Sequence, residues 1–336
     1  MAQILSITAL LIMVAASAAA EIPSGTITFE ITPKVEKSVE ILDLWVPYPL
    51  SGAHQRVTDV RVDGNFDRRA VYRDPASDSV FLHARWQTAG KSPHLRLRFH
   101  VDLEGRSVDA IKDTGQPIPR PIRPYLAATS EVPAENEKIK EIAEEATKGK
   151  TGILEKARGV YEWVTENTYR DPSVQGCGLA RPVRTLYQCS GGGKCADISA
   201  VFITVARAAG IPSREVYGLR LAQPETGDIT SAFHCWAEFY LPGTGWIPVD
   251  PADVRKMMLV HNLELPAADS WQKFFWGGDN LFRVVLEKGA RGVHLTPPQA
   301  GNPLNYLMYP YAEADGKPLP YFNPEKFSYT VEFKAD

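Results

Sequence analysis

The sequence predicts an α+β protein in which an N-terminal β-sandwich is followed by a core of helices packed on an antiparallel sheet. Three observations predict it. From Ile27 to about Leu103, short runs alternate apolar and polar residues with a period near two. From Ile139 to Ala209 the apolar period becomes 3.6, and beyond Arg214 strand-like runs return. Composition agrees: 25 Gly and 26 Pro among 336 residues suit many strands and turns better than a helical bundle. At about 150 residues per domain, this length suits two domains.

The elements follow in order. MAQILSITALLIMVAASAAA, residues 1–20, is the one strongly apolar run; Ile4 to Val14 match the apolar region of a signal peptide, and Ala18-Ala19-Ala20 supply the small residues of a cleavage site before Glu21. Its amino end lacks Lys and Arg, and a buried helix or an uncleaved anchor is the alternative. The expectation is cleavage, a secreted or periplasmic mature chain without a membrane span, and a compartment where disulfides persist. Residues 21–105 form the sandwich, built from TITFEI, VEILDLWVPYPL, VTDVRVDG and HLRLRFHVDL. Residues 106–133 read as an extended linker, because Pro117, Pro119, Pro121, Pro124 and Pro133 can continue neither a helix nor a central strand; its stretch from Gly115 to Pro124 is expected across the cleft of the second domain.

Residues 134–265 are the core. Ile139, Ile142, Ala143 and Ala146 share one helical face, and Leu154, Ala157, Val160, Tyr161 and Val164 another, across a Gly149 to Gly152 break. A third helix runs from about Cys195 to Ala209, with Ile198, Phe202, Val205 and Ala209 as its inner stripe and Gly210 and Pro212 ending it. Strands REVYGLRL, AFHCWAEFYL and WIPVD follow, and residues 266–336 add FRVVL, NYLMYPYAEAD and FSYTVEF as an extension of the core sheet.

The chemistry concentrates in two segments. In CSGGGKCADISAVFITVARAAG, Cys195 follows a glycine run and opens a helix, where free N–H groups and the helix dipole favour a thiolate; Lys194 adds a cation, and Asp197 in the first turn faces away. Taken alone, Cys195 also reads as a buried structural thiol. The hairpin SAFHCWAEFYLPGTGWIPVDPAD changes the balance. His234, Trp236, Glu238 and Tyr240 share one strand face, opposite an apolar face carrying Phe233, Cys235, Ala237 and Phe239. With Leu241 to Gly245 as the loop, Asp250 comes opposite Trp236, one diagonal from His234; a loop shorter by one residue would turn it to the core, and Pro248 marks a bulge or an edge. A Cys, a His and an Asp then converge in the arrangement of an activated nucleophile, its proton acceptor and an orienting carboxylate.

In GGKCADISAVFITVARAAGIPSREVYG and HCWAEFYLPGTGWIPVDPAD the chain resembles the transglutaminase-like superfamily of the papain-like cysteine fold, densely from about Gly191 to Asp253 and more loosely from Glu135 and toward Pro310. The resemblance implies Cys195 as nucleophile, His234 as acid/base and Asp250 as its partner. It implies thiol-dependent acyl transfer or hydrolysis at an amide of a protein or peptide, although the superfamily also includes inactive relatives, so a binding protein of the cell envelope is the alternative. Gln188 is a candidate second oxyanion donor or a plain loop residue, and Trp236 a wall of the acyl site or a packing ring. Tyr169, ending the second helix, resembles an aromatic that borders the cleft in this group; otherwise it is a core residue. Cys177 and Cys189 either form a disulfide closing a short loop or remain two free thiols, and Cys235 is an inert core thiol. No metal and no cofactor are expected: no CxxC or HxxxH occurs, GGGKC lacks the outer Gly and the Ser/Thr of a phosphate loop, and no EF-hand loop is present. Nucleic acid is not an expected partner, since the net charge is −3 and no Lys/Arg block occurs.

Overall fold

The structure is a computed structural model that describes residues 24–75, 77, 79–87, 92–104, 111–221, 226–277, 282–289 and 292–336. The apolar run 1–20 lies outside them. β1 (Ser24–Pro33), β2 (Ile41–Pro47), β3 (Gln55–Gly64), β4 (Arg68–Arg73), β5 (Val80–Gln87) and β6 (Leu95–Leu103) arise from the period-two runs. Alternation decides what they bury: Ile27, Phe29 and Ile31 of β1 pair with Phe99, Leu97 and Leu95 of β6, facing Leu42, Leu44, Leu82 and Trp86 of the opposite sheet, while Arg96 and Arg98 point outward.

The second half contains α1 (Glu137–Ala146), α2 (Gly152–Asn167), β7 (Tyr169–Arg170), α3 (Pro182–Tyr187), β8 (Gly192–Gly193), α4 (Cys195–Ala208), β9 (Ser213–Arg220), β10 (Gly227–Asp228), β11 (Phe233–Leu241), β12 (Gly245–Val249), α5 (Pro251–His261), α6 (Asp269–Phe274) and β13 (Arg283–Gly289). Its sheet has the order β12-β11-β9-β13, and α4 packs on one face of it. Every residue of α4 from Cys195 to Arg207 is buried, because α1, α2, α3 and α5 surround the sides that the sheet leaves open. A helix apolar on all sides belongs at the centre of its domain, so the expected single stripe understated its burial. Arg207, its one buried cation, donates to Ser213 O at 3.0 and 2.8 Å and to Ala127 O at 2.9 Å.

Three expectations are corrected. The strands β14 (Tyr311–Ala314), β15 (Lys317–Pro318) and β16 (Phe327–Ala335) complete the sandwich: β16 pairs with β1, and β14 with β2. Within residues 266–336 only β13, among the described strands, extends the core sheet. The described linker residues lie away from the cleft. Asp113 accepts from Ile153 N and Leu154 N at the start of α2, Thr114 Oγ1 donates to Pro242 O at the far end of the β11–β12 hairpin, and Tyr125 packs on Trp246. Ala127 is held by Arg207, twelve residues along α4 from Cys195, or about 18 Å. Finally, α2 ends at Asn167, so Tyr169 belongs to β7 rather than to the helix.

Among the described residues, no helix is long and apolar enough to cross a membrane.

Candidate active site

The glycine run before α4 is held as a strand. Gly192 and Gly193 pair in parallel with Tyr169 and Arg170, which fixes the chain just ahead of Cys195. Asp197, in the first turn, secures the other side: Oδ1 accepts from Leu179 N at 2.9 Å and Ala180 N at 3.0 Å, and Oδ2 from Lys194 N at 3.1 Å. Asp197 therefore turns into the protein, clamping the loop from residue 178 to 180 onto the helix start. Gly178 is required there, with φ +100° and no room for a Cβ, which would lie 1.9 Å from Asp197 Oδ2. Cys177 O takes the Ala196 N–H at 2.9 Å, and no acceptor among the described residues pairs with the Cys195 N–H.

The hairpin has the expected register. Tyr240 pairs with Trp246 and Ala237 with Val249, so one step further Asp250 comes level with Trp236. Pro248 introduces no bulge; β12 is an edge strand, where its missing N–H costs no ladder bond. Asp250 leaves the strand as the N-cap of α5, Oδ1 accepting from Asp253 N at 2.9 Å. Its Oδ2 lies 2.7 Å from His234 Nε2 and also accepts from Arg283 Nη2. His234 and Asp250 are 2% and 0% exposed, so this contact is shielded from water.

Burial alone would push the Asp250 carboxyl up, but the charges of His234 and Arg283 and the His234 hydrogen bond hold it at about 2. An ionised carboxylate only accepts, so Nε2 carries the proton and Nδ1 is the nitrogen left for the thiol. Hydrogen bonds from the Cys177 and Cys235 thiols, followed by the hydrogen bond and charge of His234, outweigh burial and pull the Cys195 thiol well below the ordinary thiol range.

Sequence reasoning missed a second layer. Asp253 accepts from Arg220 Nη2, lies 3.6 Å from His234 Nε2 and 3.7 Å from Arg283 Nη2, and Arg220 and Arg283 are cross-strand partners on β9 and β13. The motif DPAD signals the N-cap, because Pro suits the first helical position; nothing local announces the two arginines, which strand pairing brings together. His234, Asp250 and Asp253 offer donors within 4.8 Å of one another, but the guanidinium groups of Arg283 and Arg220 already stand where a cation would sit.

The remaining candidates fare differently. Trp236 is 1% exposed, its ring packed between His234 (centroids 6.0 Å apart) and the guanidinium of Arg283 at 4.8 Å. It lines a cavity of about 510 Å³ between the sandwich and the outer face of the core sheet, which neither Cys195, His234 nor Asp250 lines. Its position is that of a ring behind the histidine. Gln188 is exposed at the C-terminus of α3, and its side chain bonds no other described residue. Tyr169 is 43% exposed, its ring beside the Gly192 backbone, so it is not a core residue. The disulfide alternative is not realised: Cys177 and Cys189 are both free thiols, and Cys177 Sγ lies instead with those of Cys195 and Cys235.

The profile of the transglutaminase-like superfamily matches residues 140–251, spanning α1 to the start of α5. An uncharacterized protein of Haemophilus influenzae is 32% identical over 314 residues, an alignment that covers 85% of this chain and 84% of that protein. The fold is similar to that of a candidate cysteine protease from Cytophaga hutchinsonii, with a TM-score of 0.53, 16% identity, and coverage of 94% of this chain and 99% of the other. On the profile match and this relative, the chain belongs to the transglutaminase-like superfamily.

Proposed function

We propose that this protein is a cysteine acyl hydrolase acting on an amide of a protein or peptide, with Cys195 as nucleophile, His234 as acid/base and Asp250 as its orienting carboxylate. The observation that carries the reading is the buried 2.7 Å contact between His234 Nε2 and Asp250, with the other face of the imidazole toward a thiol at the start of a buried helix. His234 takes the thiol proton, and the thiolate sulfur bonds to the amide carbon. The resulting oxyanion meets the Cys195 N–H and the positive end of the α4 dipole. Collapse breaks the C–N bond, the imidazolium protonates the leaving amine, and a thioester remains for water to hydrolyse with His234 as base. Leu179 and Tyr169, 52% and 43% exposed beside this turn, offer apolar surface to a substrate side chain.

We favour hydrolysis over amine transfer on the expectation that the apolar run 1–20 directs export, since an exported enzyme in dilute medium meets water far more often than a held amine. The second reading, an inactive binding protein of the envelope, draws on the 2% exposure of Cys195. The test is alkylation of Cys195, followed by mass spectrometry across pH in chelator-containing buffer, for wild type, His234→Ala and Asp250→Asn. An apparent pKa well below about 8.5 that rises in His234→Ala supports catalysis. Ordinary thiol behaviour in all three, with Cys195 shown to be reduced, leaves the binding reading in place.

A further inference from the structure

Three of the four cysteines meet at one point. Cys177 comes from the turn ahead of α3, Cys195 from the first position of α4 and Cys235 from β11; their Sγ atoms all lie within 4.8 Å of one another, and the residues are 5%, 2% and 0% exposed. Cys189 stands apart on the half-buried loop. In the acyl chemistry Cys195 alone bonds to the substrate, while the Cys177 and Cys235 thiols act on it only through hydrogen bonds. A single buried thiol is ordinary packing, since cysteine behaves as a small apolar residue. Three sulfurs brought from three separate elements to one triangle are the arrangement of a soft-metal site.

We propose that Cys177, Cys195 and Cys235 form a trithiolate site for a cuprous ion, and that its occupation switches the nucleophile off. An ion about 2.3 Å from each of three sulfurs holds them about 4 Å apart, so the triangle needs only a small contraction. The donor set selects the ion. Zinc requires a fourth ligand, and no His, Asp or Glu joins the three sulfurs within the same span among the described residues. Monovalent copper is soft and suited to thiolates, and is satisfied by three of them. Phe233 and Tyr309, with ring centroids 4.7 Å apart and their planes tilted by 53°, close over the cluster through the Cys177 Sγ contact to Phe233 O, limiting access of water. Binding balances without redox chemistry: three S–H bonds break, three Cu–S bonds form, and three protons leave to solvent. The Sγ of Cys195 cannot then attack a carbonyl. Spacing rules miss such a site because each ligand belongs to a different element.

The test uses the full reduced chain under anaerobic conditions, titrated with cuprous ion in competition with a chromophoric cuprous chelator. The expected result is one equivalent per chain, a thiolate-to-copper charge-transfer band in the near ultraviolet, and at least tenfold slower alkylation of Cys195 at that equivalence. Cys177→Ser and Cys235→Ser should each weaken binding at least tenfold, and Cys189→Ser should not. Binding unchanged in both serine variants overturns the proposal, as does free alkylation of Cys195 in the loaded wild type or loss of two hydrogens from the chain, which marks a disulfide. The wild-type protection assay decides even if a serine variant fails to fold. None of these readouts is turnover, so the site stands or falls separately from the hydrolase reading.

Discussion

Asp250 carries more of the site than any other side chain. It orients His234, accepts from Arg283 and caps α5. Asp250→Asn keeps the shape but removes the charge that His234 and Arg283 face. We expect turnover, measured on a cleavable peptide panel, to fall by roughly 10²-fold or more. Because the change removes the nearer of the two carboxylates that face the buried Arg283 and leaves only Asp253, 3.7 Å away, stability should fall by about 1–3 kcal/mol. The pH dependence follows from the depressed carboxyl: 3.8 is its ordinary value and about 2 its value here, so its contribution is complete above about pH 4 and is lost as pH falls through 2. Acid unfolding of the variant should lack that component. Glu287 has the opposite sign. Burial, against hydrogen bonds from Ser79 Oγ (2.8 Å) and Leu307 N (3.1 Å), pushes it from 4.5 up to about 7. The folded state then binds the extra proton, and stability declines as pH rises from 4.5 through 7. In Glu287→Gln the fall in melting temperature across that interval should flatten. Cys195, His234 and Asp250 were legible because helix start, strand alternation and hairpin length each constrain a side chain locally; Arg220, Asp253 and Arg283 were not, because their meeting depends on strand order.

That dependence is clearest where β9 meets β13. Gly218 pairs with His234 on one side and Val285 on the other, beside the irregularity between Val285 and Glu287. A Cβ at Gly218 would lie 1.9 Å from Val284 O, so the strands approach closely only because no side chain stands between them. Gly218→Ala should push β13 outward and carry Arg283 away from Asp250. The expected outcome is a folded protein destabilised by about 1–3 kcal/mol in thermal melts, with Cys195 alkylation shifted toward ordinary thiol behaviour. Unchanged stability and reactivity would show that β13 does not hold Asp250 in place. At this scale α1, α2, α4 and the long strands were readable from period, because their apolar stripes are regular. The short α3 and α6 offer too few turns for a period to register, and α5 hides behind the DPAD segment, whose capping signal was read as a strand end.

Taken whole, the molecule is tied together by its last strands. Phe327, Val331 and Phe333 of β16 are at most 1% exposed and pack beside Ile27 and Phe29, while β14 closes the edge of β2. Burial of each such side chain is worth about 1.5–3 kcal/mol, so the three together rival the whole stability of a typical domain, about 5–15 kcal/mol. A chain ending at Pro310 should therefore lose the sandwich, seen as rapid proteolysis between Ser24 and Leu103. If the tail merely extended the core sheet, as its position in sequence suggested, the sandwich would survive that truncation intact.

What the sequence determined by itself was local: which segments alternate with period two, which turn with period 3.6, and which residue types stand at a helix start and on a hairpin face. Those properties depend on neighbours within a few residues and survive in any correct fold. The tertiary structure alone decided which strands pair across the chain, and with them the closing of the sandwich by β16, the arginine pair beside Asp250 and Asp253 and the convergence of Cys177 and Cys235 on Cys195. A strand edge offers the same backbone donors and acceptors to any partner, so the choice among partners is made by the burial of whole faces, which the local pattern does not contain.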